Sequence, residues 1–281
     1  MFSSNSLKIS AADESDRIAA RIHTAIGKEM KKRGAVVAMS GGIDSSVVAA
    51  LCVKAMGKER VLGLFLPEQD SSDDSLELGE LLADQLGINT ITENITGILN
   101  STGCYERRNE AVRKIIPEFD DDWKVKIVLP SVIRTDSFRI FSAVAVSPEG
   151  IVIKKRLTPD AYLRIVAATN FKQRTRKMLE YYNADSLNYA VAGTPNRLEY
   201  DQGFFVKLGD GAADFKPIAH LYKSQVYQLA DFLDIPPEIR NRPPTTDTYS
   251  MPQGQDEFYF SLPYQQMDLC LFGKNNDIPA V

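Results

Sequence analysis

The chain of 281 residues is long enough to bury a sizeable core, as one large α/β domain or as a domain with an insertion. Its 33 basic and 37 acidic residues give a formal net charge of -4, which argues against a protein that coats nucleic acid. No apolar stretch approaches the roughly 20 residues that span a bilayer, and residues 1–10 lack the apolar core of a signal peptide.

The cysteines and histidines favour a reducing compartment and argue against a zinc site. The cysteines are far apart and form no CxxC pair; they are Cys52, Cys104 and Cys270. The only histidines, His23 and His220, are too few for a site built on His and Cys ligands. We therefore expect a cytoplasmic protein.

The first part of the chain alternates between helix and strand patterns. Apolar residues at helical spacing predict a helix over 12–33 that ends at Gly34. Short apolar runs predict buried strands at 35–39, 61–66 and 88–92, with helices over about 47–56 and 76–86. This alternation is typical of a parallel sheet with right-handed crossovers. The predicted fold class is α/β, a doubly wound parallel sheet with ligands beyond the carboxyl ends of its strands.

The junction between the first strand and its helix is rich in glycine and serine, and reads Ser40-Gly41-Gly42-Ile43-Asp44-Ser45-Ser46. Two glycines let the chain turn sharply and bring backbone N–H groups close to a ligand. The helix start adds unpaired N–H donors and a positive dipole end. Strand, turn and helix together predict a phosphate-binding cradle. It is not a Walker loop, because no lysine follows the last glycine.

The pattern changes after Gly103. Alternating or apolar runs at 124–129, 138–146 and 151–154 predict a small β-rich insertion over about 118–158. A long helix then begins at Pro159 and runs to about Tyr182. It carries a cluster of polar and basic residues, namely Asn170, Lys172, Arg174, Arg176 and Lys177. The sequence leaves open whether this cluster is a solvated helix face or meets an anionic ligand.

A second glycine-rich segment follows another predicted strand, at 187–192. Residues 193–200 and 203–214 place Thr, Glu, Lys and two Asp among glycines. Glycine-rich loops that carry charge at strand ends are typical of binding sites. An amphipathic helix over 221–233 and a loop over 243–257 follow.

Several of these strings resemble known motifs. SGGIDS resembles the SGGxDS pyrophosphate loop of the N-type ATP pyrophosphatases, which implies that the chain cleaves ATP to AMP and pyrophosphate. GTPNRLEYDQGFFVKLGDGAADFKPIAHLYKSQV, with PPTTD and QGQDE, is similar to ammonia-dependent NAD synthetases, over residues 12–103 and 159–260. These enzymes amidate deamido-NAD through an adenylated intermediate. We therefore expect a single NAD synthetase-like domain over 1–281 that contains the insertion.

The resemblance also implies roles for individual residues. The ATP-binding residues would be Ser40, Gly41, Gly42, Asp44, Ser45, Ser46, Thr194, Lys223 and Thr245. Mg²⁺ would be held by Asp44 and Glu199. Arg174, Lys207 and Asp214 fall where the family binds the dinucleotide. Asp210 lies near the expected ammonia pocket, which makes Asp44, Glu199, Lys223 and Asp210 the candidate catalytic residues.

The expected chemistry needs these residue types. A carboxylate attacks the α-phosphorus of ATP, so two anions must be brought together. Mg²⁺ on Asp44 and Glu199, with Lys223 and the cradle, would neutralise the developing charge. Ammonia then attacks the acyl-adenylate, and Asp210 or Asp214 could hold ammonium and deprotonate it.

The resemblance also bears on partners. It implies a homodimer with the dinucleotide site near the interface, to which the amino-terminal helix would contribute. The sequence shows no glutaminase nucleophile, so ammonia would come from solution or from a separate glutaminase. Neither a membrane nor nucleic acid is an expected partner. Two features depart from the family: the insertion at 118–158, and a final segment, 271–281, with one lysine instead of a basic run. The latter indicates a shortened chain or a different substrate.

Three alternatives stay open from the sequence. The first is an amide ligase of the same mechanism that acts on another carboxylate. The second is a tRNA-modifying or sulfur-transfer ATP pyrophosphatase, against which the lack of paired cysteines and of excess basic charge argues. The third is a non-catalytic nucleotide-binding regulator, against which the combination of Asp44, Glu199, Lys223 and Thr245 argues.

Overall fold

The computed structural model describes residues 2–130, 140–245, 248–254, 256–260 and 262–279. The strands in this part of the chain are β1 (Ala35–Ala38), β2 (Val61–Phe65), β3 (Asn89–Thr92), β4 (Lys124–Val128), β5 (Ser142–Val146), β6 (Val152–Arg156) and β7 (Ala190–Ala192). The helices are α1 (Ala11–Thr24), α2 (Ile43–Met56), α3 (Asp73–Leu86), α4 (Thr96–Ser101), α5 (Cys104–Arg113), α6 (Pro159–Leu187), α7 (Arg197–Gln202), α8 (Lys223–Phe232), α9 (Pro237–Arg240) and α10 (Tyr264–Asn275).

A four-stranded parallel sheet forms the centre of the molecule, in the order β3-β2-β1-β7. In register, Val36 of β1 pairs with Leu62 on one side and with Val191 on the other. The chain leaves β1 toward β2 but later adds β7 on the opposite side, so the winding direction reverses between β1 and β7. The predicted doubly wound α/β fold is confirmed.

Helices cover both faces of this sheet, which explains why its strands are apolar without alternation. Ala35 and Val37 of β1 face one apolar cluster, which includes residues of α1, α2 and α8. Val36, between them, faces a second cluster with residues of α4, α5 and α6. Helix α2 is buried around most of its circumference, because it lies between the sheet and helices α1 and α8.

The predicted β-rich insertion is a separate antiparallel sheet, in the order β4-β5-β6. Its inner face is apolar, with Val125, Ile127, Ala143 and Ala145 buried against the amino-terminal part of α6. The outer strand β6 is largely exposed. The insertion therefore has its own core, distinct from the two clusters of the parallel sheet.

Some predicted boundaries were wrong. The helix expected over 12–33 ends as an α-helix at Thr24 and continues as a π-helical turn, Ala25–Glu29, that contains the poor helix former Gly27. Helix α6 runs past Tyr182 and ends where Asn188 adopts φ 55°, so the following strand starts at Ala190 instead of 187. The start of the strand expected at 138–146 lies outside the described residues. No helix among those described has the length and apolar character to cross a membrane.

Candidate functional site

A cavity of about 430 Å³ opens at the carboxyl ends of β1 and β7. The loops that follow these neighbouring strands diverge, because the winding of the sheet reverses between them. The cavity is lined by the loops after β1, β2 and β7, by α6 and by the first residue of α8. Its volume lies in the range of pockets that bind nucleotide-sized molecules.

The glycine-serine turn after β1 forms one wall. Gly41 adopts φ 67°, and a Cβ atom there would lie 2.4 Å from the carbonyl oxygen of Ser75, so no other residue fits. Helix α2 begins after Gly42, which offers no side chain to cap it. The hydroxyls of Ser45 and Ser46 each donate to the Gly42 carbonyl at 2.9 Å. Ser40, Gly42, Asp44 and Ser45 line the cavity, whereas Gly41 and Ser46 shape the turn from behind.

The charged centre of the cavity consists of Asp44, Glu199 and Lys223, which come from α2, α7 and α8. Lys223 Nζ forms an ion pair with Asp44 Oδ2, and its side chain is only 2% exposed. The other oxygen, Asp44 Oδ1, accepts from Asn196 Nδ2 at 3.0 Å. Glu199 Oε2 accepts from the Asn196 N–H at 3.0 Å, within the capping box of α7. Three distant segments predicted from sequence thus meet at one point.

Burial and proximity set the protonation of this centre. Burial and then the nearby Asp44 carboxylate raise the pKa of Glu199, while Lys223 opposes the shift. Burial lowers the pKa of Lys223, but the Asp44 and Glu199 carboxylates outweigh it and raise the pKa on balance. Two carboxylates that repel each other in a buried site suit a divalent cation. Mg²⁺ commonly takes one or two protein carboxylates and completes its shell with water and substrate phosphates.

A buried carboxylate from α10 holds the start of α8. Asp268 is fully buried, and its Oδ2 accepts from the Ser224 N–H at 2.6 Å and from the Ser224 hydroxyl at 2.5 Å. Its Oδ1 accepts from the Lys223 N–H at 3.3 Å. Asp268 therefore caps α8 at the residue whose side chain enters the charged centre.

Asp210 lies on another wall of the cavity. Its Oδ1 accepts from the Val206 N–H at 2.7 Å, and burial raises its pKa despite that hydrogen bond. Nearby on the same wall, Lys177 Nζ contacts Glu180 Oε2 at 2.6 Å within α6. Burial raises the pKa of Glu180 although Lys177 opposes it. This wall thus presents carboxyl groups that are easier to protonate than usual.

The remaining predicted site residues divide into two groups. Thr194 and Thr245 line the cavity. Arg174, Lys207 and Asp214 do not: the Arg174 Nε donates to the Lys207 carbonyl at 3.2 Å, and both residues are exposed. Asp214 Oδ2 accepts from the Val191 N–H at 2.8 Å, which fixes the loop to β7. The first two of these residues lie together, but within a single chain none of the three joins the charged centre.

The basic cluster of α6 does not form one surface. Lys172 is buried and pairs with Glu68 at 2.8 Å and with Asp70 at 2.6 Å, while Arg108 of α5 also pairs with Asp70. Lys172 also donates to the Thr248 carbonyl at 2.8 Å. Lys172 is therefore neither on a solvated helix face nor in contact with an anionic ligand. It joins α6 to the segment after β2 and to Thr248. Of the other members, Arg176 and Lys177 face the cavity and Arg174 is exposed.

Residues 248–254, which we call the β4-bound segment, attach one cavity wall to the insertion. The Val125 N–H of β4 donates to Ser250 Oγ at 2.9 Å, and Gln253 Nε2 donates to the Ile127 carbonyl. The Tyr249 side chain is buried in the core of the insertion. Thr248 of this segment lines the cavity. The insertion therefore supports the wall without supplying the charged centre.

Sequence reasoning missed several of these residues. Asp268 lay outside every motif, and its only signal was an acidic residue in an apolar helix. Glu68 and Asp70 stand in a polar, acidic segment that carries no motif. Glu180 was missed, but it follows Lys177 of the basic cluster at the (i, i+3) spacing of an ion pair, which could have identified it. Arg242, which lines the cavity, precedes PPTTD but was not included with it.

Comparisons with known proteins identify the family of the chain. The NAD synthase family model matches residues 16–116 and 129–279. An NH(3)-dependent NAD(+) synthetase of Rhizobium meliloti (strain 1021) is 57% identical over 280 residues, which cover 100% of this chain and 84% of the relative. The corresponding protein of Thermotoga maritima is 37% identical over 254 residues, or 89% of this chain and 84% of the relative. The Rhizobium match includes the insertion, so the expectation that ammonia-dependent relatives lack it was wrong for that relative.

Solved structures share the fold. An NMN synthetase from Francisella tularensis superposes with a TM-score of 0.68 at 24% identity, covering 95% of this chain and 87% of the other. An NAD+ synthetase from Burkholderia pseudomallei gives a TM-score of 0.60 at 22% identity, covering 94% and 84%. At these identities the likeness concerns the fold alone.

Proposed function

The chain belongs to the NAD synthase family, and from this we propose that Asp44, Glu199 and Lys223 carry its reaction in the cavity between β1 and β7. The protein is a carbon–nitrogen ligase that uses ATP to amidate deamido-NAD with ammonia. Relatives of this identity favour deamido-NAD over another carboxylate, and amidation over tRNA modification or a regulatory role. The observation that supports the assigned residues best is the contact of Lys223 with Asp44 beside the cradle.

In the first step, the deamido-NAD carboxylate attacks the α-phosphorus of ATP, pyrophosphate leaves, and an acyl-adenylate forms. The turn from Ser40 to Ser46 offers N–H and hydroxyl donors to the phosphates, with Thr194 and Thr245 on the facing walls. Lys223 supplies a fixed positive charge. Asp44 and Glu199 would hold Mg²⁺, which when bound supplies further positive charge at the phosphates.

In the second step, ammonia attacks the acyl carbon and AMP leaves. Asp210 suits the proton transfer, because burial raises the pKa of its carboxyl group and makes its carboxylate a stronger base toward ammonium. Ammonia reaches the site from solution or from a separate glutaminase. Cytoplasmic location accords with both sources and with ATP as substrate.

We further propose a homodimer in which the dinucleotide site is shared. Arg174 and Lys207 lie outside the cavity of one chain, next to exposed apolar residues of α6. Met178 and Tyr182 are 56% and 66% exposed, and Leu208 is 71% exposed. A second copy seated there would cover these side chains and bring Arg174 and Lys207 to its interface. Light scattering of the wild type and of Tyr182→Asp should give a dimer and a monomer, respectively; a monomeric wild type would contradict the proposal.

The reaction is tested by release of pyrophosphate and AMP from ATP, Mg²⁺ and ammonium, with and without deamido-NAD. We expect release that depends on deamido-NAD and NAD formed in equal amount. Release without deamido-NAD, or none with it while ATP still binds, would contradict the assigned reaction. Omission of Mg²⁺ should abolish release if Asp44 and Glu199 act through the metal.

A further inference from the structure

Arg242 lies on the cavity wall that faces the glycine-serine turn, two residues after α9 ends. Its Nη2 donates to Ser72 Oγ at 3.1 Å and to Ser75 Oγ at 3.2 Å. Both serines also line the cavity. The guanidinium group is therefore held at the cavity by neutral hydroxyls, which orient it without compensating its charge.

Two of the other cations of the cavity are paired with carboxylates. Lys223 is paired with Asp44 and Lys177 with Glu180. Arg176 donates to the Leu66 carbonyl and lies near enough to Glu180 to influence its pKa. Within the described part of the chain, Arg242 forms no ion pair. Asp74, Glu77 and Glu238 border the same arginine in a shallow depression outside the cavity. Among the described residues, no carboxylate thus lies within ion-pair distance of Arg242, in contrast to Lys223 and Lys177.

The position of Arg242 relates it directly to the cradle. Gly41 lies so close to Ser75 that a Cβ atom at Gly41 would meet the Ser75 carbonyl oxygen. Ser75, at the first turn of α3, accepts from Arg242. Gly41, Ser75 and Arg242 therefore form a continuous series of contacts, which places the guanidinium beside the turn that offers N–H groups to phosphate. Thr245, three residues after Arg242, lines the same wall.

We propose that Arg242 binds the pyrophosphate portion of ATP, and holds it until it leaves as product. This inference rests on the proposed function and extends its site by one residue. While Arg242 Nη2 donates to Ser72 and Ser75, its Nε and Nη1 groups have no acceptor among the described residues and can donate charge-assisted hydrogen bonds to phosphate oxygens. The serines then act as positioning residues that keep the guanidinium pointed at the cradle.

The test compares Arg242→Gln with Arg240→Gln. Arg240 lies on α9 two residues away and pairs with Asp231, outside the cavity lining, so it is a matched control for the loss of one arginine from this segment. The affinities of both variants for ATP and for AMP are measured by titration, and the inhibition constant of pyrophosphate by steady-state kinetics, each with Mg²⁺ present. Thermal unfolding checks that both variants are folded.

We expect Arg242→Gln to lower the affinities for ATP and pyrophosphate by about 10- to 100-fold, because a charge-assisted contact is lost. The affinity for AMP should stay within about twofold of the wild-type value. Arg242→Lys should recover part of the loss, because it restores the charge but not the paired donors. An equal loss of affinity for AMP would mean that Arg242 contacts the AMP portion of ATP, which would overturn the proposal. The proposal would also be overturned if the affinities of Arg242→Gln for ATP and pyrophosphate matched those of Arg240→Gln. In both cases the wild type would still form NAD, so failure here is distinct from failure of the proposed reaction.

Discussion

The parallel sheet and the antiparallel insertion contribute to the cavity in different ways. The parallel strands β1 and β7 end side by side, and the segments after them carry Asp44, Thr194 and Glu199 directly into the site. The strands of the insertion carry no member of the charged centre. Their contribution passes through β4, whose backbone holds Ser250 and Gln253 of the β4-bound segment.

This difference follows from strand direction. In a parallel sheet all carboxyl ends lie at one edge, so the loops after the strands converge there. In an antiparallel meander the ends alternate between two edges, and the exposed backbone of an edge strand becomes the available binding surface. The parallel sheet therefore positions the proposed catalytic residues, and the insertion supports one wall of the cavity. Variants that disturb each region separately should show this division.

The largest effect is expected where the two regions are joined. Lys172→Met leaves two buried carboxylates without their shared cation: Asp70 keeps Arg108, and Glu68 keeps the Tyr105 hydroxyl. This should lower the free energy of unfolding by about 3–5 kcal/mol. Urea denaturation measures this loss. The matched control is Lys155→Met on the exposed strand β6, which should change stability by less than about 0.5 kcal/mol. Similar losses for both variants would mean that the buried pairs do not hold the regions together.

The next effect concerns the parallel sheet alone. Glu199→Gln keeps the size of the side chain but removes a charge of the centre, so kcat should fall by about 10²- to 10³-fold with thermal stability preserved. Pyrophosphate release and ATP titration separate turnover from binding. Asp201→Asn serves as control on the same helix, since Asp201 pairs with Arg197 and does not line the cavity. Retained turnover in Glu199→Gln would remove Glu199 from the catalytic residues.

A smaller effect should come from the insertion edge. Ser250→Ala leaves the Val125 N–H without its partner, which should cost about 1 kcal/mol of stability and raise the KM for ATP by about two- to fivefold, because the adjacent Thr248 lines the cavity. Its kcat should remain unchanged. The control is Ser101→Ala on the exposed side of α4, which removes a hydroxyl that donates to the Gly97 carbonyl. A fall in kcat with constant KM would mean that the insertion contributes to the chemical step, and would contradict a purely supporting role.

The smallest effect is a dependence on pH. Burial would raise the pKa of Asp70, but Lys172 and Arg108 outweigh it and hold the pKa below its ordinary value of about 3.9. The folded protein then binds fewer protons than the unfolded chain, so this contribution is complete above about pH 3.9 and is lost as pH falls toward the folded pKa. Urea midpoints between pH 5 and 3 should fall more steeply for the wild type than for Asp70→Asn. Parallel slopes would show that Asp70 is not the group responsible.

The parallel sheet could be predicted from sequence because each of its signals is local. The apolar run before Ser40 predicts the strand, the two glycines predict the turn, and the apolar run after Ser46 predicts the helix. Spatial proximity of Asp44 and Glu199 also follows, since both come after neighbouring strands. Their role as metal ligands stays a prediction.

Other features depend on contacts between distant segments, which no local pattern reveals. Lys172 has the same sequence signature as Arg174, yet one is buried and the other exposed. Only the approach of Glu68, Asp70 and Arg108 distinguishes them. The attachment of Ser250 to β4 likewise joins residues separated by 125 positions. For Arg174, Lys207 and Asp214, the resemblance named residues that lie outside the cavity of one chain. Their role in binding the dinucleotide stays a prediction.

The cap on α8 has a consequence for biosynthesis. Lys223 is synthesised 45 positions before Asp268, the carboxylate that receives its N–H. A nascent chain can therefore form the parallel sheet and the glycine-serine turn while α8 still lacks its cap. The start of α8, which carries Lys223 into the cavity, would then be fixed only after α10 has docked.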